Sequence, residues 1–111
     1  MIDISNNIED DFLVISLDGE VDASSSIHLD KAIDEAVKNN HKKILVDGSK
    51  LSYISSAGLG VFMSYIQDFD SQGIKLILFG LSEKVKNVFQ ILGLDQLLKI
   101  CESKEEAKQL F

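Results

Sequence analysis

Two adjacent serines, Ser55 and Ser56, are the side chains in this sequence most suited to chemistry. They follow an apolar stretch and precede a segment whose apolar residues recur at helical spacing: Leu59, Phe62, Ile66 and Phe69. A strand-to-helix junction directs free backbone N–H groups outward, and the positive end of the helix dipole lies there. A hydroxyl in that place is exposed, and a phosphate attached to it meets favourable electrostatics. We therefore expect the functional site at this junction.

The residues around the two serines do not match the motifs of common enzymes. No glycine stands two positions before either serine, as Gly-x-Ser-x-Gly requires, and the chain has no P-loop motif. A serine hydrolase also needs a histidine to take the hydroxyl proton, and the pattern nominates neither His28 nor His41. Neither histidine has a second His or Cys at metal-ligand spacing. We expect surface histidines, no catalytic residue, no metal and no cofactor.

The composition bounds the class of protein. The 111 residues, 45% hydrophobic and 26% charged, predict a single domain over residues 1–111 with its own core. A net charge of -7 argues against nucleic acid or an anionic membrane surface as the partner. The single cysteine, Cys101, excludes a disulfide and is predicted to pack rather than react. No signal-peptide pattern or bilayer-spanning apolar run is present, so we expect a cytoplasmic protein.

Strand and helix patterns alternate along the chain. Strands are predicted at residues 1–5, 12–17, 43–47, 74–79 and 97–100, the second covered on both faces. Residues 6–11 are predicted to form a polar turn, and Asp18-Gly19 a turn or bulge. With helices between the later strands the order is ββαβαβαβα. This order predicts an α/β fold, a central mixed sheet of about four to five strands with one layer of helices packed on it.

The predicted helices have recognisable ends and buried faces. Ser82 is predicted to be an N-cap, Ser103-Lys-Glu-Glu106 fits a capping box, and Gly73 is placed to end the helix that follows the two serines. The helix after Ser82 has a predicted buried stripe: Val85, Val88, Phe89 and Leu92.

Phosphorylation of a junction serine is the chemistry that these features favour. It adds about -1.5 to -2 charges, which free N–H groups at a helix start tolerate. A binding surface centred there would lose affinity, by as much as several kcal/mol. The alternative is that Ser56 is only an N-cap, and that Gly58 and Gly60 only permit close packing of the helix on the sheet. The local pattern leaves both open.

Three segments together resemble the STAS domain. They are Gly19-Glu-Val-Asp22, Lys43-Ile-Leu-Val-Asp47 and Leu51-Ser-Tyr-Ile-Ser-Ser-Ala-Gly-Leu-Gly60. More narrowly, the chain is similar over nearly its whole length to the stand-alone bacterial anti-sigma factor antagonists. The resemblance implies a mixed sheet flanked by helices. It also implies that the unphosphorylated form binds an anti-sigma factor that is also a serine kinase, so that the sigma factor is released. The kinase then phosphorylates the antagonist, and a metal-dependent serine phosphatase reverses the reaction.

The resemblance also assigns site residues. The family pattern is Asp-Ser-[Ser/Thr]-Gly-Leu-Gly, so Ser55 occupies its acidic position, Ser56 the phosphoacceptor position and Ala57 the second hydroxyl position. Ser55 is the alternative acceptor. The residues that the resemblance places on the partner-binding surface are Asp22, Ser24, Ser55, Ser56, Ala57, Gly58 and Leu59.

Two departures from the family pattern keep a second function open. Ser55 replaces the usual aspartate, and Ala57 removes the second hydroxyl. A constitutive interaction module in another signalling complex, without phosphorylation, is therefore the alternative function. The sequence does not identify the kinase, the sigma factor or the signal.

Overall fold

Five strands and four helices alternate in a computed structural model, which describes residues 2–111. The strands are β1 (Ile2–Glu9), β2 (Phe12–Val21), β3 (Lys43–Ile54), β4 (Lys75–Phe79) and β5 (Lys99–Cys101). The helices are α1 (Ser26–Lys38), α2 (Ser56–Gln72), α3 (Glu83–Ile91) and α4 (Lys104–Gln109), with a 3₁₀ turn at Leu94–Gln96. The predicted order ββαβαβαβα is confirmed.

The strands form one mixed sheet in the order β1-β2-β3-β4-β5. β1 is antiparallel to β2, and each later neighbour pair is parallel. The parallel pairs require crossovers, which α1, α2 and α3 supply. The carboxyl ends of β2 and β3 therefore lie side by side, with the starts of α1 and α2 just beyond them.

Helices cover both faces of the sheet, so the prediction of a single helical layer is wrong. The larger cluster of buried side chains contains Leu29, Phe62 and Phe89, one from each of α1, α2 and α3. A smaller cluster on the other face joins Phe12 of β2 to Ala107 of α4. Because strand side chains alternate between faces, β2 contributes to both clusters. This confirms that residues 12–17 are covered on both faces.

Three strands are longer than predicted: β2 continues past residue 17 to Val21, and β1 and β3 are extended as well. β1 continues through Asn6 to Glu9, so the predicted turn at residues 6–11 shrinks to Asp10 and Asp11, with φ of 50° and 75°. Positive φ at both central residues is the geometry of a two-residue hairpin turn that matches the strand twist. The unbroken pairing of β1 with β2 outweighs the turn preference of the asparagines.

β3 does not end at Asp47 but runs on to Ile54. The extension pairs with the later part of β2, after register shifts on either side of Asp18 and Gly19. Gly19 has φ of 118°, which confirms the bulge predicted there. The extension carries the chain to the carboxyl end of the parallel strands before α2 begins, so the two serines lie at the end of a twelve-residue strand.

The remaining differences lie near the C-terminus. β5 is Lys99–Cys101 rather than residues 97–100, because Leu94–Gln96 forms a 3₁₀ turn that delays the strand. Leu92 is 55% exposed and not part of the buried stripe of α3, since it follows the last helical residue. The predicted caps at Ser82 and Ser103 are confirmed, as is the left-handed Gly73 after α2.

Candidate functional site

The two serines lie beside the end of β2. Val21 pairs with Ile54 at the last step of the β2–β3 ladder. The Ser55 N–H donates a hydrogen bond of 2.8 Å to the Val21 carbonyl oxygen. Asp22 follows Val21 directly, so the segment that leads into α1 adjoins the segment that leads into α2. Both segments end at a helix N-terminus, where unpaired N–H groups favour negative charge.

Ser55 is the N-cap of α2. Its backbone is extended, with φ of -88° and ψ of 171°, and its hydroxyl oxygen accepts a hydrogen bond of 3.2 Å from the Gly58 N–H. The side chain is half-buried. The hypothesis that Ser56 is the cap is therefore wrong by one residue, because the strand geometry that a cap requires ends at Ser55.

Ser56 is the first residue inside α2, and its side chain is exposed. Within residues 2–111 its hydroxyl makes no hydrogen bond, in contrast with that of Ser55. The N–H groups at this first turn have no intrahelical acceptor. Ser56 thus presents a hydroxyl that is accessible and not engaged, at a position where an added phosphate would meet the helix dipole.

Asp22 organises the loop before α1. Its Oδ1 accepts hydrogen bonds from the Ser24 hydroxyl at 2.8 Å and from the N–H and hydroxyl of Ser25, both at 2.9 Å. These hydrogen bonds, the one from Ser24 foremost, lower the pKa of Asp22 to about 2. The Asp22 carboxylate therefore keeps its charge throughout the physiological pH range.

Ser25 also belongs to this loop but is not among the residues predicted for the site. It is buried, at 6% exposure, and its hydroxyl oxygen accepts a hydrogen bond of 2.9 Å from the Asp22 N–H. Each residue of the pair thus binds the backbone of the other. The spacing Asp-x-x-Ser before a helical pattern is the signal that could have identified it.

Gly58 and Leu59, both among the predicted partner-binding residues, are buried. A Cβ at Gly58 would lie 2.7 Å from a methyl carbon of Val21 and 2.8 Å from Cγ1 of Ile54. The packing role suggested for Gly58 is therefore confirmed. For Gly60 the same suggestion is wrong, because a Cβ there would have no atom within 4 Å.

The solvent face of α2 carries no charge near the serines. No Asp, Glu, Lys or Arg occurs between Lys50 and Asp68, although 26% of the chain is charged. The exposed residues of α2 in that interval are Ser56, Ala57, Gly60, Met63, Ser64 and Gln67. Interface centres are depleted of charged residues because each charge must be desolvated on binding. We name this set the neutral face of α2.

The other candidate groups lie outside this junction. His28 is exposed and His41 is half-buried, and no three His, Cys, Asp or Glu side chains of residues 2–111 are grouped to hold a metal ion. Cys101 is buried, as predicted, and burial raises the pKa of its thiol. No helix in the described part of the chain is long and apolar enough to cross a membrane.

Comparisons with known proteins agree on one family. The family model described as "STAS domain" matches residues 3–107. An anti-sigma-B factor antagonist of Listeria monocytogenes is 30% identical over 90 residues, covering 81% of this chain and 79% of that protein. A proposed anti-sigma factor antagonist of Thermotoga maritima, solved by crystallography, is 26% identical with a TM-score of 0.88, covering 96% of this chain and 92% of its own.

The fold is also that of SpoIIAA, an anti-sigma factor antagonist of Bacillus solved in unphosphorylated and phosphorylated forms. The two structures have TM-scores of 0.71 and 0.70 at 21% and 22% identity. They cover 98% and 99% of this chain, and 94% and 98% of their own. At this identity the likeness shows the shared fold.

Proposed function

The chain belongs to the STAS domain family, and from that premise we propose that it is an anti-sigma factor antagonist that phosphorylation of Ser56 turns off. In its unphosphorylated form it binds an anti-sigma factor that is also a serine kinase, and so releases the sigma factor. A metal-dependent serine phosphatase restores the binding form. The protein acts by binding and carries out no reaction of its own.

The observation that carries this proposal is the contrast between Ser55 and Ser56. The Ser55 hydroxyl caps α2 and is half-buried, whereas the Ser56 hydroxyl is exposed and unbonded. A kinase must reach the acceptor hydroxyl and orient it, which only the Ser56 hydroxyl permits without loss of the cap. SpoIIAA, which has the same fold, exists in phosphorylated and unphosphorylated forms, which supports a switch of this kind here.

The replacement of the family's aspartate by Ser55 preserves capping. Asp and Ser are equally good N-caps, because each side-chain oxygen reaches the N–H two or three residues on. The hydrogen bond from Gly58 to Ser55 shows that the serine fills this role. The replacement also removes one negative charge, so the neutral face of α2 begins at the N-cap itself. A phosphate on Ser56 would then be the first charge on that face.

The switch follows from where the new charge would lie. The fold tolerates a phosphate on Ser56 because N–H groups and the helix dipole face it. A partner seated on the neutral face of α2 would have to desolvate two negative charges, which costs several kcal/mol. We propose that the partner contacts the half-buried Asp22 and the exposed residues Ser24, Ser56 and Ala57. Gly58 and Leu59, being buried, hold α2 against the sheet beneath them.

Phosphate mapping tests the proposal. The purified protein, its Ser55→Ala variant and its Ser56→Ala variant are incubated with the cognate anti-sigma kinase and ATP, and phosphopeptides are mapped by mass spectrometry. We expect one phosphate, on Ser56, in the wild type and in Ser55→Ala, and none in Ser56→Ala. Phosphate on Ser55 instead, or on neither serine while the kinase is active on its own substrate, would overturn the assignment.

The second candidate function is a constitutive interaction module, and the uncharged Ser55 is the observation that favours it. The acidic position of the family pattern, which could serve kinase recognition, is lost in this chain. Under this alternative a partner binds the neutral face of α2 whether or not Ser56 is changed. Capture of the same partner by Ser56→Ala and Ser56→Asp with equal affinity would establish it over the switch.

A further inference from the structure

The helices α1 and α2 are joined by a tyrosine–carboxylate hydrogen bond far from the serines. The Tyr65 hydroxyl lies 2.9 Å from Oδ1 of Asp30 and 3.2 Å from the Asp30 carbonyl oxygen, so it donates to α1 from the third turn of α2. Within residues 2–111 no other side-chain hydrogen bond or ion pair joins these two helices. The pair is separated by 35 residues in the sequence.

Both residues of this hydrogen bond lie on helix segments that pack in the core. Leu29, the neighbour of Asp30, is fully buried, and Tyr65 packs against the larger core cluster. The ring of Tyr65 also lies against that of Phe69, with centroids 5.6 Å apart and planes 34° apart. Because the α1 backbone at Asp30 and the ring of Tyr65 are both anchored in the core, the bond restrains the position of one helix relative to the other.

The Tyr65 hydroxyl stays protonated across the physiological pH range. Burial of the Tyr65 ring, and then the adjacent Asp30 carboxylate, raise the pKa of the hydroxyl well above its usual range, so it remains a donor. Asp34, one turn further along α1, pairs instead with Lys38 at 2.9 Å. No ion pair within residues 2–111 involves Asp30, which leaves its carboxylate to Tyr65.

The candidate site has two parts, the Asp22 loop before α1 and the two serines at the start of α2. α1 begins after the Asp22–Ser25 hydrogen-bonded loop, and α2 begins at Ser56. At the carboxyl ends of β2 and β3, the hydrogen bond from the Ser55 N–H to the Val21 carbonyl oxygen holds the two segments together. Tyr65 adds a second point of attachment about 14 Å along α2, at about 1.5 Å per residue. Added to the packing of both helices in the larger core cluster, two separated hydrogen bonds restrain rotation of one helix on the other more than the bond at the strand ends alone.

We propose that Tyr65 is a positioning residue: its bond to Asp30 holds α1 and α2 in the relative position that presents the Asp22 loop beside Ser56. The consequence for partner binding rests on the function proposed above, but the positioning itself does not. Loss of the hydroxyl loosens both helix starts and weakens partner affinity by about twofold to thirtyfold, the range for mutations that change coupling without touching the ligand.

Hydrogen exchange of the protein alone tests the positioning without any partner. In Tyr65→Phe we expect the amides of Ser25 and Gly58 to exchange several times faster than in the wild type. The increase should be smaller in Asp30→Ala, because the Asp30 carbonyl oxygen remains as an acceptor for the Tyr65 hydroxyl. Asp30→Asn should restore protection, because its amide oxygen can still accept the Tyr65 hydrogen bond. These two amides report on the α1 loop and the α2 cap through their bonds to Asp22 and Ser55.

Two controls separate positioning from general loss of stability. Tyr53→Phe removes a tyrosine hydroxyl that has no hydrogen-bond partner within residues 2–111, from a side chain that is 44% exposed. Ala107→Gly destabilises α4 on the opposite face of the sheet. If Tyr65→Phe exchanges no faster at these amides than Tyr53→Phe, or no faster than Ala107→Gly at equal stability, the proposal is overturned.

A binding measurement then links positioning to function. The dissociation constant of the anti-sigma kinase should rise in Tyr65→Phe and Asp30→Ala and return to near the wild-type value in Asp30→Asn. If the exchange results hold but the wild-type protein binds no such kinase, the positioning stands and the proposed function fails. If the kinase binds all four proteins equally, Tyr65 does not act on the binding surface and that part of the inference is overturned.

Discussion

The hydroxyl oxygen of Ser55 accepts a hydrogen bond from the Gly58 N–H, so the cap of α2 is the first of the two adjacent serines and not the second. This bond gives the two serines different roles. Ser55 supports the helix, and Ser56 is left with an exposed hydroxyl that nothing in residues 2–111 engages. The predictions below follow from this division and from the packing around it.

Removal of the two hydroxyls should affect stability unequally. Ser55→Ala deletes the cap and is expected to cost about 1 kcal/mol of unfolding free energy, which lowers Tm by about 4 °C. Ser56→Ala should change the free energy by less than about 0.5 kcal/mol, as exposed surface changes do. Ser55→Asp should restore the wild-type value because aspartate also caps. Denaturant unfolding of the three variants measures this, and equal losses for both alanine variants would contradict it.

An acidic mimic at Ser56 should separate binding from folding. We expect Ser56→Asp to leave Tm unchanged or raise it slightly, since a negative charge at a helix start is favourable by about 0.3–1 kcal/mol. Its affinity for the anti-sigma kinase should fall by at least tenfold. Ser71→Asp, the same change at the exposed far end of α2, is the matched control and should keep its affinity. Calorimetric titration measures both, and an equal loss in the two variants would point to net charge rather than position.

The two glycines of the junction motif should respond in opposite directions to alanine. A Cβ at Gly58 would meet Val21 and Ile54 at 2.7 and 2.8 Å, so Gly58→Ala should destabilise the fold by about 1–3 kcal/mol. A Cβ at Gly60 meets nothing within 4 Å in the interior of α2, so Gly60→Ala should stabilise it by about 0.5–1 kcal/mol. Thermal unfolding measures the stability of both variants. A Gly58→Ala variant as stable as the wild type would mean that α2 lies further from the sheet.

The carboxylate of Asp22 should titrate near pH 2. Its pKa is lowered from 3.8 to about 2, first by the hydrogen bond from Ser24. A pKa lowered by folding gives stability that is present above the unfolded value and is lost as pH falls from about 3.8 towards 2. Ser24→Ala should therefore raise the pKa towards 3.8. Ser26→Ala should leave it unchanged, because the Ser26 hydroxyl donates to the Ala23 carbonyl oxygen at 3.0 Å.

Carbon-13 NMR of the Asp22 carboxyl carbon measures this titration in the folded protein. The experiment needs no partner, so it tests the architecture of the α1 loop independently of the proposed function. A wild-type midpoint close to 3.8 would show that the hydrogen bonds from Ser24 and Ser25 are not retained in solution.

The predictions from the sequence succeeded where the deciding interactions are local. The alternation of strands and helices, the caps at Ser82 and Ser103 and the left-handed Gly73 all depend on residues within about four positions of one another. Such patterns can be read directly from the sequence, because capping bonds and helical periodicity span a single turn. The strand-to-helix junction at the two serines was predicted for the same reason.

The larger errors fall where a distant segment decides. Asn6 and Asp47 belong to segments that favour turns, yet each continues a strand because β2 pairs with it along its length. A one-residue error in the cap followed, since the length of β3 determines where α2 begins. The position of α4 on the second face of the sheet depends on apolar residues of β2, β3 and β4 that no local pattern connects to it.

The sequence by itself therefore determined the order of the elements, the mixed sheet and the segment that carries the candidate site. Only the tertiary structure decided that Ser55 caps while Ser56 stays free, that Gly58 but not Gly60 is needed for packing, and that Tyr65 binds Asp30. The physical reason is range. Propensity, periodicity and capping act within one turn, whereas pairing partners, close approaches and bonds between helices depend on chain segments that meet only when the whole core forms.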